Sequence, residues 1–321
     1  MIADVTNVVP ATPATIARGA EIIGAGGLVA FPTETVYGLG ADATNDHAVA
    51  AIFAAKERPT FNPLIVHVSN LTVAEQLVQF TPLARQLAAA FWPGALSLVL
   101  PRKSNSGISL LASAGLDTIA VRVPAHPITQ SLLAAAKTPI AAPSANASGK
   151  ISATKAQHVS DELKDKVDLI LDGGSAKLGI ESTVLAVNGH KVILLRPGAL
   201  SREAIEAIAG PLFLPTRDTI SSPGQLASHY APDAALRLNV LDPKFNEAFL
   251  AFGSDVPASA QVARNLSPSG NLQEAAANLF AMLRELDASG MEHIAVMPIP
   301  ETGLGEAIND RLRRAAAPRS S

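Results

Sequence analysis

The chain has 321 residues, of which 48% are hydrophobic and only 4% aromatic, with a formal net charge of −3 and no cysteine. That much apolar material suffices for two ordinary cores and excludes an intrinsically disordered chain. The missing cysteines exclude disulfides, thiolate nucleophiles, iron–sulfur clusters and cysteine-based zinc sites, and the lack of a basic excess argues against strong direct nucleic-acid binding.

In chain order, the N-terminal stretch lacks the basic-then-apolar order of a signal peptide, and no apolar run is long enough to span a bilayer. The expectation is a cytoplasmic protein with no membrane partner. Thr12-Pro13 reads as a helix cap with proline at the first helical position, and Gly26-Gly27 ends that helix. LVAF (28–31) reads as a strand, and Asn45-Asp46 opens an alanine-rich helix ending near Lys56. PLIVHV (63–68), ALSLVL (95–100), IAVRV (119–123), PIAA (139–142) and DLIL (168–171) are further strands, several alternating apolar with polar. Asn188-Gly189 between two β-rich runs signals a hairpin, which argues against a purely parallel sheet. A helix over 201–210 closes this unit, a proline- and serine-rich linker spans 211–234, and a smaller α/β pattern follows over 235–321. In that last part LRLNV (236–240), AFLAF (248–252) and HIAVMPI (293–299) read as strands, with helices at 272–286 and from Gly305. Gly303 and Gly305 read as strand-to-helix turn glycines, because a third dinucleotide-fingerprint glycine is missing.

Walker A, HExxH, EF-hand and GxSxG motifs are absent. The notable residues are polar ones set into apolar strands. His67 and Arg122 read either as solvent-facing positions on an open sheet or as ligand contacts. Lys56 and Arg58 read either as cations favouring a helix C-terminus or as anion contacts, and Arg196 either as an edge residue or as part of the same site. PTET (32–35), PSANASGKIS (143–152) and GIEST (179–183) add hydroxyls, and the second of these leads into a helix whose N-terminus could hold an anion or simply be capped. A cleft of cations and hydroxyls without an obvious nucleophile suits nucleotidyl transfer, where positioning and charge neutralisation carry the catalysis.

FPTETVYGLGADA (31–43), KERPTFNPLIVHV (56–68), FWPGALSLVL (91–100), AVRVPAHP (120–127), PIAAPSANASGKISAT (139–154), GIESTVL (179–185) and LLRPGAL (194–200) resemble, in order, the motifs of the YrdC/Sua5 family of threonylcarbamoyl-adenylate synthases. SPGQLASHYAP (222–232) is similar to the linker of the longer Sua5 form, with Gln225 where methionine is common, and Ala153 stands where proline is frequent.

The resemblance implies a twisted, mixed α/β sheet with a concave active face plus a smaller Rossmann-like domain. It implies formation of threonylcarbamoyl-AMP and pyrophosphate from L-threonine, bicarbonate or CO2, and ATP. A downstream tRNA threonylcarbamoyl transferase complex then carries the group to adenosine 37 of tRNAs reading codons that begin with A. Carried over by motif, Thr35, His67, Arg122, Ala142 and Ser182 would hold threonine. Arg58, Asn62, Thr118, Ser144, Ser152, Arg196 and Tyr230 would hold ATP, and Lys56, Arg58, Ser144 and Asn146 would form the signature set on the phosphate path. Mg²⁺ would be bridged mainly by phosphates, with no dedicated metal-ligand set in the protein. The rival implication is a non-catalytic RNA-binding module, which would release no pyrophosphate.

Overall fold

The structure is a computed structural model that describes residues 7–215, 229–257 and 259–318. Its elements in order are β1 (Val8–Pro10), α1 (Pro13–Gly24), β2 (Val29–Phe31), β3 (Gly38–Asp42), α2 (Asp46–Lys56), β4 (Ile65–His67), α3 (Leu71–Leu77) and α4 (Pro82–Phe91). They continue with β5 (Leu96–Pro101), β6 (Thr118–Arg122), α5 (Pro127–Ala136), β7 (Ile140–Ala141), α6 (Ala156–Leu163), β8 (Leu169–Asp172), β9 (Thr183–Asn188), β10 (Lys191–Arg196) and α7 (Arg202–Ala209). The remainder is β11 (Ala235–Arg237), β12 (Glu247–Ala251), β13 (Val262–Asn265), α8 (Leu272–Asp287), β14 (His293–Val296) and α9 (Leu304–Ala316).

The first seventeen of these elements build a ten-stranded mixed sheet in the order β1-β8-β2-β3-β7-β4-β6-β5-β9-β10. The β9–β10 hairpin is antiparallel, as its turn signal requires, but Asn188 pairs with Lys191. The two-residue loop is therefore Gly189-His190, and Gly189 supplies the left-handed φ of +60°. The second unit is a four-stranded, all-parallel sheet in the order β11-β14-β12-β13, packed with α8 and α9. Buried on both faces, β12 reads as an apolar run rather than an alternation.

Three strands hide from a sequence reading, β1 being only three residues long and ending on Pro10. β3 lies inside the glycine-rich GLGAD stretch, where a Cβ at Gly40 would stand 2.5 Å from the Phe31 ring and 2.7 Å from Ile140. Those glycines admit an aromatic ring against the sheet. β13 (VARN) is half exposed and carries little apolar signal. The segment 211–234 is not wholly without structure. Phe213 exchanges main-chain hydrogen bonds with Val192 and Leu194 of β10, and Ala231 donates to the Gly149 carbonyl. The intervening residues 216–228, on which most of the linker reading falls, lie outside the described residues.

The two units share a core. Val36, Ile151 and Ile180 of the first pack in one cluster with Tyr230, Ala276, Leu279 and Phe280. Gly179 (φ +69°) lets the first unit approach α8 so closely that a Cβ would meet the Ala276 carbonyl at 2.5 Å. Among the described residues no helix is long and apolar enough to cross a membrane.

Candidate functional site

Strand periodicity sorts the polar residues onto one face of the large sheet. In β4, Val66 points into the main core while Ile65 and His67 point the other way. In β6, Ile119 and Val121 are in that core while Ala120 and Arg122 are opposite. The parallel register sets His67 directly beside Arg122 and Ile65 beside Ala120. β5 and β9 continue the row, with Val99 opposite Ala120 and Ser97 opposite Val184. The alternation in LIVHV and IAVRV thus marks a second, polar face that is nevertheless covered: His67 is 4% and Arg122 3% exposed.

A cleft of about 520 Å³, counting the space at its mouth, lies over this face. Of the residues singled out in the sequence, Thr35, Arg58, His67, Arg122, Ala142, Ser144, Ser182, Arg196 and Tyr230 line it. Thr33, Glu181 and His229 line it as well. They escaped the sequence reading as individuals although each lies within or beside a quoted motif. Lys56, Asn62, Thr118, Asn146 and Ser152 stand outside the lining.

Arg122, in the lining of the cleft, is held on three fronts. Its Nε donates to the Gly94 carbonyl (3.1 Å), Nη1 to Thr35 Oγ1 (3.0 Å) and Nη2 to Glu34 Oε1 (2.5 Å). Burial opposes ionisation of Glu34, but the Arg122 charge together with the hydrogen bonds from Arg122 and the main chain outweighs it and holds the carboxyl below its ordinary value. His67 is pushed down to about 3, first by burial and then by Arg122, so it is neutral at physiological pH, and its Nδ1 is buried without a partner among the described residues.

Arg58 and Arg196 also line the cleft. Helix α2 ends with Glu57 in the left-handed region (φ 54°), and Arg58 N–H reaches back to the Phe53 carbonyl in a Schellman closure. That reversal turns Arg58 inward, where Nε and Nη2 donate to the carbonyls of Asn62 (3.1 Å) and Pro63 (3.0 Å). Burial and the neighbouring Arg196 pull the Arg58 pKa down to about 9. Arg196 is aimed by a bulge between Leu194 and Arg196, and its Nη2 donates to the Ser182 carbonyl (2.9 Å) and hydroxyl (3.2 Å).

Lys56 does something the helix-end reading did not anticipate. Its ammonium is buried and donates to the main-chain carbonyls of Ser144 (2.6 Å) and Asn146, fastening the loop that carries both residues. Burial, with Arg58 close by, lowers its pKa well below the ordinary lysine value. The same loop corrects the helix-N-terminus reading of PSANASGKIS: α6 begins only at Ala156 and its cap position is Lys155, so neither Ser144 nor Asn146 sits at a helix N-terminus. Ser152 donates to Glu181 Oε1 (2.5 Å). Asn62 is fully buried, with both carboxamide atoms unpartnered among the described residues. Thr118 lies on the same face of β6 as Arg122, four residues away, which in extended chain is roughly 13 Å.

Comparisons with known proteins find relatives of both units. A family model described as "Telomere recombination" (Sua5, YciO and YrdC) matches residues 21–198, and one described as "Threonylcarbamoyl-AMP synthase, C-terminal domain" matches 200–317. The threonylcarbamoyl-AMP synthase of Bacillus subtilis is 40% identical over 98% of this chain and 97% of its own, and that of Pyrococcus abyssi is 40% identical over 92% of each. The crystal structure of P. abyssi Sua5 complexed with L-threonine superposes with a TM-score of 0.88 at 39% identity, covering 96% of both chains. With both units matched, in order and over nearly the whole length, the chain belongs to the Sua5/YrdC family, in the long form that carries the Sua5 C-terminal domain.

Proposed function

We propose that the cleft makes threonylcarbamoyl-adenylate and pyrophosphate from L-threonine, bicarbonate or CO2, and ATP. The observation that carries this reading is the meeting of two unlike sets in one cleft. Thr35, His67, Arg122 and Ser182 offer a guanidinium, two hydroxyls and a neutral imidazole, suited to an amino-acid zwitterion with its own hydroxyl. Arg58 and Arg196 offer buried positive charge suited to phosphates.

In this reading Arg122 grips the threonine carboxylate, and Ala142 leaves room beside it. The threonine ammonium gives one proton to solvent, its nitrogen bonds to the carbon of CO2 as one C=O electron pair moves onto oxygen, and a second N–H proton goes to solvent, leaving a carbamate. A carbamate oxygen then attacks the α-phosphorus of ATP, the bond to the bridging oxygen breaks, and pyrophosphate leaves with that electron pair. Arg58, Arg196 and Ser144 neutralise the charge that develops on the phosphates. Asn62, with an otherwise unpartnered buried carboxamide, and Ser152 contribute polar contacts to the nucleotide, and Tyr230 covers it. A nucleotide laid along β6 would run from Arg122 toward Thr118, on the same face. Lys56 acts by fixing the Ser144–Asn146 loop rather than by touching phosphate. Magnesium enters as part of the nucleotide substrate. Glu181, the cleft's lining carboxylate, is committed to Ser152 and Arg311, so the ion would be held mainly through the nucleotide's phosphates.

Residues 1–210 form the catalytic unit in this account, 211–234 the connection and 235–321 the supporting unit. The adenylate passes to a tRNA threonylcarbamoyl transferase complex in the cytoplasm. The test is pyrophosphate release by purified protein, together with the mass of the product. Release must require both threonine and bicarbonate, and equal release without threonine would overturn the assignment.

A further inference from the structure

Arg311 belongs to α9 of the second unit, yet its side chain reaches Glu181 and Tyr230, which line the cleft. It is fully buried. Nε donates to Glu181 Oε2 at 2.8 Å, Nη2 to the Pro197 carbonyl at 2.9 Å and Nη1 to Asp310 Oδ2 at 2.6 Å. The guanidinium carbon lies 5.1 Å from the centre of the Tyr230 ring, which also stacks on Phe280 at 5.5 Å. Glu181 and Pro197 flank Ser182 and Arg196. One side chain from the supporting unit therefore touches the immediate chain neighbours of both residues and the aromatic ring over the cleft.

Glu181 is a carboxylate at the edge of a site meant to hold anions. Burial opposes its ionisation, but the charges of Arg311 and then Arg196, with the hydrogen bonds from Ser152 and Arg311, together hold its carboxyl below the ordinary value. Two cations thus compete for it. In the structure its oxygens go to Arg311 and to Ser152, while Arg196 is turned to the Ser182 carbonyl and hydroxyl. A buried carboxylate stripped of its partner does not stay unpaired, because the desolvation cost is too high.

We propose that Arg311 is a positioning residue for the synthase reaction: by binding Glu181 it keeps that carboxylate off Arg196, so that Arg196 and Ser182 stay aligned for substrates. The C-terminal domain then completes the cleft chemically as well as covering it. This rests on the synthase reading given above.

The test is a rescue experiment on the full-length protein, reading pyrophosphate release with ATP, threonine and bicarbonate. In Arg311→Met, Glu181 turns to Arg196, and kcat/KM falls about a hundredfold, as displacement of a substrate-positioning group by an ångström does. Adding Glu181→Gln removes the charge that draws Arg196 while keeping an acceptor for Ser152. R311M/E181Q is therefore expected to recover about tenfold or more over R311M, chiefly in the KM for ATP. Loss of packing alone would not be repaired by an isosteric change at Glu181. Wild-type activity in R311M, or no recovery in the double variant when both melt near the R311M temperature, overturns the proposal. Should R311M fail to fold, Arg311→Lys decides. It keeps a cation on Glu181 and is expected within about tenfold of wild type, and a hundredfold loss in it overturns the proposal. Wild-type protein that releases no pyrophosphate overturns the synthase reading, and this proposal with it.

Discussion

Glu34 and Arg122, eighty-eight residues apart in sequence, form a buried ion pair 2.5 Å across, of which Arg122 lines the cleft. The second Glu34 oxygen accepts from the Ala125 amide at 3.0 Å, so the pair also ties the end of β6 to the loop after β2. Arg122 therefore has two tasks, neutralising Glu34 and presenting its remaining N–H groups to the cleft.

Those tasks separate by substitution. Arg122→Lys keeps a cation beside Glu34 but loses the planar fork, so it should fold normally and bind threonine at least about tenfold more weakly, with ATP affinity little changed. Arg122→Met leaves the carboxylate buried and unpaired and should cost about 3–5 kcal/mol of stability. Calorimetric titration of each ligand, alongside denaturant melts, checks both. Unchanged threonine affinity in the lysine variant would remove the carboxylate clamp from the account.

Lys56 and Arg58 should fail differently. Arg58→Ala removes a cleft cation and is expected to lower kcat about a hundredfold or more, with the melting temperature nearly kept. Lys56→Met unties the Ser144 and Asn146 carbonyls, leaving buried acceptors without a donor, so it should lose both stability and turnover. Paired thermal melts and single-turnover pyrophosphate assays separate the two. Identical behaviour of the variants would show that Lys56 acts on substrate directly.

Acid should destabilise the protein above the usual carboxylate range. Burial lowers the pKa of His67 and His229 to about 3 and of His158 to about 4. The unfolded chain takes up these protons near pH 6.5 and the native state refuses them. The stability is therefore fully present above about 6.5 and is lost as pH falls toward 3, at up to roughly 1.4 kcal/mol per pH unit for each proton withheld. Glu34 and Glu181 add a loss of the same sign only at lower pH, since their folded values lie below the ordinary carboxylate value. Scanning calorimetry should show the melting temperature falling between pH 7 and pH 5, with a shallower fall in His158→Gln. A flat profile over that range would mean these histidines titrate normally.

The sheet was legible because its strands alternate. LIVHV and IAVRV already separate a core face from a second face, and the NG turn already demands an antiparallel pair. What the strings left open was whether that second face meets water, and the answer depends on residues far away in sequence. Glu34 and Thr35, nearly ninety residues before Arg122, and Phe31 against the His67 ring cover those outward positions, so that His67 and Arg122 are buried. Lys56 shows the same limit. Its place at a helix end is a local signal, while its hold on the loop ninety residues on is a tertiary one. Arg311 carries no local mark at all in an ordinary amphipathic helix, and its meaning appears only with Glu181 beside it.

Tyr230 supplies a prediction in which stability and binding part company. It is 1% exposed, held at φ 64°, stacked on Phe280, and its hydroxyl is buried with no hydrogen-bond partner among the described residues. A buried, unpaired hydroxyl costs about 1–3 kcal/mol, so nothing in folding calls for it. Tyr230→Phe should therefore melt at the same temperature as wild type or slightly higher. If the hydroxyl is reserved for the nucleotide, the same change should raise the KM for ATP about threefold to tenfold and leave that for threonine alone, since a neutral hydrogen bond contributes about 0.5–1.5 kcal/mol. Tyr230→Ala removes the ring from between Arg311 and Phe280 as well and should lose both stability and activity. Melting curves and ATP titrations of the two variants decide it. A phenylalanine variant that is less stable yet binds ATP normally would make the hydroxyl a structural group and leave only the ring as a cover for the cleft.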